Sequence, residues 1–220
     1  MNRREVRELS EEAENLQIEF KRKFTSHEKI AREMIAFANT RGGFILFGID
    51  DDKSIVGVES EKSEAELIIK TAKEYCEPAL DIKLDFINID DKEIVIASIH
   101  ESENKPHRLQ DYKNELEINT AEVTIRVNDK SVLASKEMIR LMRAQSNSLE
   151  LKKYAIGEIE KSVFEILVKH ETISVKELSR AVNISERRAS RTLVKLVRAN
   201  LLMIHSKDNG EEYFTSIEST

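Results

Sequence analysis

The hydrophobic and polar positions of the first 145 residues follow two different periods. Residues 16–21 alternate singly between apolar and polar side chains, which is typical of a strand with one buried face. Apolar residues three and four positions apart predict helices over 3–13, 26–39, 64–76 and 135–142. Apolar or alternating runs predict strands over 44–49, 54–58, 82–89, 93–99 and 122–127. The strands at 44–49 and 54–58 are expected to form a hairpin. This mixture predicts an α+β fold, a mixed sheet with flanking helices.

The C-terminal third has a different order of elements. Helical periods over 159–170, 174–182 and 185–199 precede two short strand patterns at 201–205 and 211–215, joined through an Asn209-Gly210 turn. Three helices followed by a hairpin are the layout of a winged helix-turn-helix. A polar stretch at 144–148 lacks an apolar period. We therefore predict an α+β domain over residues 1–145 and a small winged-helix domain over residues 149–220.

The charge distribution bears on what the second domain binds. The chain has a net charge of −6, but residues 149–220 carry 12 Lys and Arg against 11 Asp and Glu. Six cations are candidates for nucleic-acid contact, five on the third helix and one in the wing: Arg187, Arg188, Arg191, Lys195, Arg198 and Lys207. The helix pattern turns the first five outward. In a recognition helix Arg187, Arg188 and Arg191 would reach base edges or phosphates, and Lys207 in the wing would contact the DNA backbone. The alternative is an ordinary solvated helix face, or a winged helix that docks proteins.

A second candidate site is acidic. Glu14, Glu19 and Asp50 flank the first strand–helix–strand unit, and Lys21 shares a strand face with Glu19. Such carboxylates suit Mg²⁺ or Mn²⁺, and Lys21 would contact a phosphate during hydrolysis. The alternative is a chance grouping with simple surface ion pairing, in which case no cofactor is expected.

Several classes of site are excluded or disfavoured by composition. The only cysteine, Cys76, excludes an internal disulfide and a multi-cysteine zinc site, and we expect it to be a small buried residue. No Gly-x4-Gly-Lys-Ser/Thr loop supports triphosphate binding. His107 is expected to face solvent in a polar loop. No run of about 18 apolar residues and no apolar signal core after Met1 are present, so a cytoplasmic, non-membrane protein is expected.

Several motifs resemble those of a known family, the Schlafen AlbA-type domain, over roughly residues 8–142. They are Glu14-x4-Glu19-Phe-Lys21, Ile35-Ala-Phe-Ala-Asn-Thr-x-Gly-Gly43, Ile45-Leu-Phe-Gly-Ile-Asp-Asp51, Lys105-Pro-His107 and Thr124-Ile-Arg-Val-Asn128. With a C-terminal winged helix, the chain looks like bacterial proteins described as DNA-binding transcriptional regulators. In animal Schlafens two glutamates and an aspartate carry metal-dependent RNA cleavage, and by motif these fall on Glu14, Glu19 and Asp50.

This sequence differs from the animal Schlafens in two ways. The animal cleft has two related lobes, whereas this sequence has one, so a comparable groove requires a homodimer. The zinc cluster of the animal proteins is also missing. The prediction is therefore a cytoplasmic, homodimeric bacterial regulator that binds DNA. A metal-dependent endonuclease acting on RNA and a protein-interaction adaptor are the alternatives.

Overall fold

The computed structural model describes residues 3–11, 14–146 and 156–217 and divides into two compact units, Met1–Leu133 and Ala134–Thr220. The helix expected at 135–142 thus groups with the second unit, although the sequence pattern placed it in a first domain ending at residue 145. Part of the predicted boundary stretch, residues 147 and 148, and the start of the 149–220 domain lie outside the described residues.

The first unit is built on a four-stranded mixed sheet. Its elements in chain order are α1 (Arg3–Glu11), β1 (Ile18–Lys21), α2 (His27–Asn39), β2 (Gly43–Phe47), α3 (Glu61–Glu74), β3 (Cys76–Glu77), β4 (Ile82–Ile89), β5 (Lys92–Ile99), β6 (Arg108–Leu109), β7 (Thr124–Val127) and β8 (Lys130–Leu133). The sheet order is β1-β2-β5-β4, with β1 parallel to β2 and the other pairs antiparallel. The predicted α+β class with a mixed sheet is confirmed.

Local sequence explains how the centre of this unit folds. Ser26 caps α2 by accepting a hydrogen bond from the Lys29 N–H, as predicted. Gly42 has φ +68°, and a Cβ at this position would lie 2.7 Å from the Ile99 carbonyl oxygen. Only glycine therefore allows the chain to turn directly from α2 into β2.

Both faces of the sheet are covered. On one face, α2 and α3 bury a core that includes Met34, Phe37, Phe47 and Ile68. On the other, Val6 of α1 packs with residues of β1, β2, β4 and β5. A central strand buried on both sides reads as a continuous apolar run, which is why β2 was predictable.

Two parts of the first unit differ from the predicted elements. Residues 54–58 form no strand, and an isolated Ile49–Ile55 bridge links them to the residues after β2. Gly48 has φ +100° and its carbonyl accepts the N–H groups of Val56 and Gly57, so the chain bends instead of continuing a ladder. Conversely, residues 130–133 form β8, a strand that was not predicted between the strand over 122–127 and the helix over 135–142. Asn128, with φ 55°, starts the tight reversal that pairs β8 with β7.

The second unit is a helical domain with a two-stranded wing. It contains α4 (Lys136–Ser146), α5 (Glu158–His170), α6 (Val175–Ala181), α7 (Glu186–Arg198), β9 (Leu202–Ser206) and β10 (Glu212–Ser216). The strands pair antiparallel, and Phe214 of β10 is buried with apolar residues of the helices. The predicted winged helix is confirmed. None of the helices in the described segments is long and apolar enough to cross a membrane.

Candidate nucleic-acid interface

Helix α7 presents a polar basic face because its other face is needed for the core. Ser185 caps the helix by accepting from the Arg188 N–H at 3.3 Å. Ala189, Leu193 and Leu196 are fully buried among the apolar residues of the second unit. The opposite side of the helix, which carries Arg191 and Lys195, is exposed.

Four of the predicted cations come together on this outer face. Arg187, Arg188, Arg191 and Lys195 are exposed and line one open cavity of about 660 Å³, beside the first turn of α5. The two acids in that turn are engaged locally: Glu160 accepts from the Gly157 N–H at 3.0 Å, and Glu158 pairs with Lys161 at 2.8 Å. A concave surface with four cations suits a polyanion such as a nucleic-acid backbone.

The other two predicted cations lie elsewhere. Arg198 is half-buried near the end of α7 and does not line this cavity. Lys207 is exposed in the turn between β9 and β10, 3.8 Å from a carboxylate oxygen of Glu211 and 6.0 Å from the ring centre of Tyr213. It lines a second cavity, which also contains Lys176 and several acids. The structure thus groups four of the six residues.

Two of the three acidic candidates of the first unit, Glu19 and Asp50, are ion-paired. Glu19 is buried, with one carboxylate oxygen bound by Lys21 and the other 2.8 Å from the Arg126 guanidinium. Glu14 accepts the Phe20 N–H at 2.8 Å. Burial raises the pKa of Glu14 above its usual value, and the nearby Glu19 carboxylate adds to this shift.

Arg126 of β7 is the centre of this cluster, although the sequence analysis assigned it no role. Its buried guanidinium donates to Glu19, to Glu33 at 3.1 Å, to Ser131 at 3.2 Å and to two backbone carbonyl oxygens. It also lies 4.7 Å from the ring centre of Phe37. Burial raises the pKa of Glu33, and the Glu19 carboxylate acts in the same direction. The sequence feature that could have indicated this role is an arginine within the apolar strand pattern Thr124-Ile-Arg-Val.

Asp50 has a separate partner. Its carboxylate binds the Arg22 guanidinium at 2.5 Å. Within the described part of the chain, no three His, Cys, Asp or Glu side chains are grouped so that they would hold a metal ion. Since the oxygens of Glu19 are taken by two cations and Asp50 is paired with a third, the predicted set does not fit a metal site.

Two further motif residues prove to be structural. Asn39 donates to the carbonyl oxygens of His107 and Thr124 and accepts the His107 N–H. The prediction that His107 faces solvent was wrong: it is buried, and its Nδ1 lies 2.8 Å from the Pro78 carbonyl oxygen. These hydrogen bonds reduce the free-energy cost of burying the polar atoms of His107. Burial lowers the pKa of His107.

Comparison with known proteins accounts for both units. The family model described as Schlafen, AlbA_2 matches residues 14–135, more than half of the chain. The chain belongs to the Schlafen AlbA_2 family. A second model, the sugar-specific transcriptional regulator TrmB, matches residues 151–216. An AlbA_2 domain followed by a TrmB-like helix-turn-helix domain indicates a DNA-binding regulator. This agrees with the general function that was predicted from the sequence.

Individual relatives add little to this assignment. An uncharacterised ATP-binding protein of Ureaplasma parvum is 33% identical over 87 residues, covering 37% of this chain and 24% of that protein. The chain therefore spans about a quarter of that relative's length. A structure from Corynebacterium diphtheriae matches 59% of this chain and 24% of its own, at 17% identity and TM-score 0.42. The N-terminal domain of an ATP-dependent DNA helicase RecG-related protein of Nitrosomonas europaea matches 50% and 80%, at 22% identity and TM-score 0.41.

Proposed function

We propose that this Schlafen AlbA_2 protein is a cytoplasmic transcriptional regulator that binds duplex DNA by inserting α7 into the major groove. The observation that carries the proposal is the cluster of four exposed cations on α7, in a domain matched by a transcriptional-regulator model. The net negative charge of the whole chain does not oppose this, because the contact depends on local charge.

The proposed DNA contact of each cation depends on its position along α7. Arg187 and Arg188 stand in the first turn and Arg191 one turn later, so they belong to the end of the helix that enters the groove. An arginine there can bind guanine O6 and N7 with two hydrogen bonds. Lys195, a further turn along, is placed for a phosphate contact that adds affinity without sequence selection.

The wing supplies one further contact in this proposal. Lys207 lies in the exposed β9–β10 turn, and its pairing with Glu211 at 3.8 Å leaves both side chains more than half exposed. A surface ion pair of this kind is weak, so a phosphate readily replaces Glu211. We expect Lys207 to contact the DNA backbone beside the groove that α7 occupies.

The test is a double substitution, Arg187→Ala with Arg191→Ala, measured by fluorescence anisotropy on labelled duplex DNA. Each lost charged hydrogen bond is worth on the order of 1.5–3 kcal/mol, so affinity should fall by about tenfold or more. The matched control is Lys62→Ala with Lys70→Ala on α3, which removes the same charge from exposed sites in the first unit. Equal affinity of the two double variants would refute the proposed contact.

A further inference from the structure

Strand β4 forms a long open edge of the sheet in the first unit. It pairs with β5 along all eight of its residues, and no strand of the described residues pairs with its other side. Monomeric proteins usually protect such an edge with a proline, a bulge, a covering segment or charged side chains, and β4 carries Lys83 and Asp85, which have opposite charges. Residues 82–89 contain no proline or glycine, and Phe86 is 49% exposed.

The opposite edge of the same sheet is blocked. At β1, the Phe20 N–H is already bound by the Glu14 carboxylate. Arg126, carried by the β7–β8 hairpin, holds Glu19 of this strand and the Asn15 carbonyl oxygen just before it. Of the two edges of this sheet, only the β4 edge is therefore open to another strand among the described residues.

The β4–β5 turn determines which backbone groups of β4 point outward. Asp90 and Asp91, with φ 52° and 61°, form a two-residue turn between the paired residues Ile89 and Lys92. In such a hairpin the residues next to the turn exchange both hydrogen bonds, and bonded pairs then alternate. The N–H and C=O groups of Ile82, Leu84 and Phe86 consequently face away from β5.

We propose that two copies of this chain pair antiparallel along β4, about a two-fold axis at Leu84, so that their sheets join into one. In this register Lys83 of each copy lies directly opposite Asp85 of the other. Ile82 of each copy lies opposite Phe86 of the other, on the other face of the sheet. The edge is thus self-complementary in charge and covers the exposed Phe86, as an isologous interface requires.

The registers shifted toward the turn lack this complementarity. Moving the axis one residue toward the turn, to Asp85, places the Asp85 carboxylates of the two copies opposite each other. Like charges directly opposite each other repel. Moving it to Phe86 places Lys83 opposite Ile89 and leaves the charges without opposite partners. Lys83 and Asp85 already lie on one face within a copy, 3.1 Å apart, so pairing two copies gives four charges of alternating sign.

The experiment uses charge reversal in the full chain, with mass measured by sedimentation equilibrium. Lys83→Asp gives an all-acidic edge and Asp85→Lys an all-basic one, so each variant alone should raise the dimer dissociation constant by about tenfold or more. An equimolar mixture of the two variants should form a heterodimer, because acidic side chains then face basic ones. The double variant Lys83→Asp with Asp85→Lys should dimerise like the wild type.

Three results would overturn the proposal. The first is a monomeric wild type, and the second is a dimer that both single variants leave unchanged. The third is a pair of single variants that are monomeric and do not dimerise when mixed, although their circular dichroism matches that of the wild type. The proposal stands apart from DNA binding, because neither Lys83 nor Asp85 belongs to the basic face of α7.

Discussion

Among single residues, Glu212 of β10 combines burial with incomplete hydrogen bonding. Its Oε2 is buried and has no hydrogen-bond partner among the residues that the structure describes, and the Ser206 hydroxyl lies 3.5 Å from its Oε1. Burial, reinforced by the Glu137 carboxylate, raises the pKa of Glu212 to about 7, although hydroxyl groups of Ser135 and Ser206 oppose the shift. Hydrophobic patterning cannot predict such a group, because Glu212 occupies an ordinary wing-strand position in the sequence.

The raised pKa predicts how stability depends on pH. The folded state holds this proton more tightly than the unfolded state, whose pKa is about 4.5. Its stabilising contribution is therefore complete below about pH 4.5 and is lost as pH rises through about 7. Glu212→Gln should stabilise the second unit by roughly 2–3 kcal/mol at about pH 8 and change little at acid pH.

Urea unfolding at the two pH values measures this difference. Glu211→Gln is the matched control, since its carboxylate is exposed in the neighbouring turn. A Glu212→Gln variant whose stability keeps the pH dependence of the wild type would contradict the assignment of the titration to Glu212.

Glu19 gives a second prediction at the scale of residues. Because Lys21 and Arg126 already bind its two oxygens, adding Mg²⁺ or Mn²⁺ should leave the melting temperature of the first unit unchanged. The measurement is a thermal melt of the full chain with and without each ion. A stabilisation that disappears in Glu19→Gln would show instead that the ion displaces these cations, and would favour the nuclease alternative.

At the scale of elements, the β7–β8 hairpin depends on Arg126 for its position. The guanidinium joins this hairpin to β1 through Glu19 and to α2 through Glu33. Removing one partner of a buried ion-pair network leaves uncompensated charge and costs about 3–5 kcal/mol. Arg126→Ala should therefore destabilise the first unit by that amount and expose the amides of residues 124–133 to hydrogen exchange.

The control for this variant is Arg32→Ala. Arg32 also links α2 to the segment before β7, but its ion pair with Glu122 is exposed and should contribute less than about 1 kcal/mol. Equal destabilisation by the two substitutions would contradict the central role of the buried network.

The elements show what the sequence could and could not predict. Helix α2 was predictable because its cap, its apolar stripe and the glycine turn after it are all local signals. Residues 54–58 were misread because their apolar alternation resembles a strand, while the bend at Gly48 depends on packing against Ile94 and Gly57. In the acidic cluster, Glu14 and Glu19 were found from a sequence motif. The contacts of Arg126 with Glu19 and Glu33 could not be predicted in this way, because they join residues about a hundred positions apart.

At the scale of the whole molecule, one chain combines two units with different charge and different chemistry. In the first unit the buried acid Glu19 is paired with Lys21 and Arg126, whereas the second unit exposes a basic helix face. This contrast supports the proposed nucleic-acid contact of the second unit, and the open β4 edge supports the proposed self-association through the first. The family of the first unit was recognisable from short motifs, yet those motifs do not reveal that Glu19 is paired with both Lys21 and Arg126.

The central claim, that the cations of α7 neutralise DNA phosphates and contact bases, is tested most directly by the salt dependence of binding. Each phosphate contact contributes about 0.9 to the slope of log affinity against log salt concentration on duplex DNA. Arg191→Ala combined with Lys195→Ala should therefore reduce the wild-type slope by about 1 to 2, whereas Lys62→Ala with Lys70→Ala should leave it unchanged. A slope that is the same for all three proteins would contradict the account.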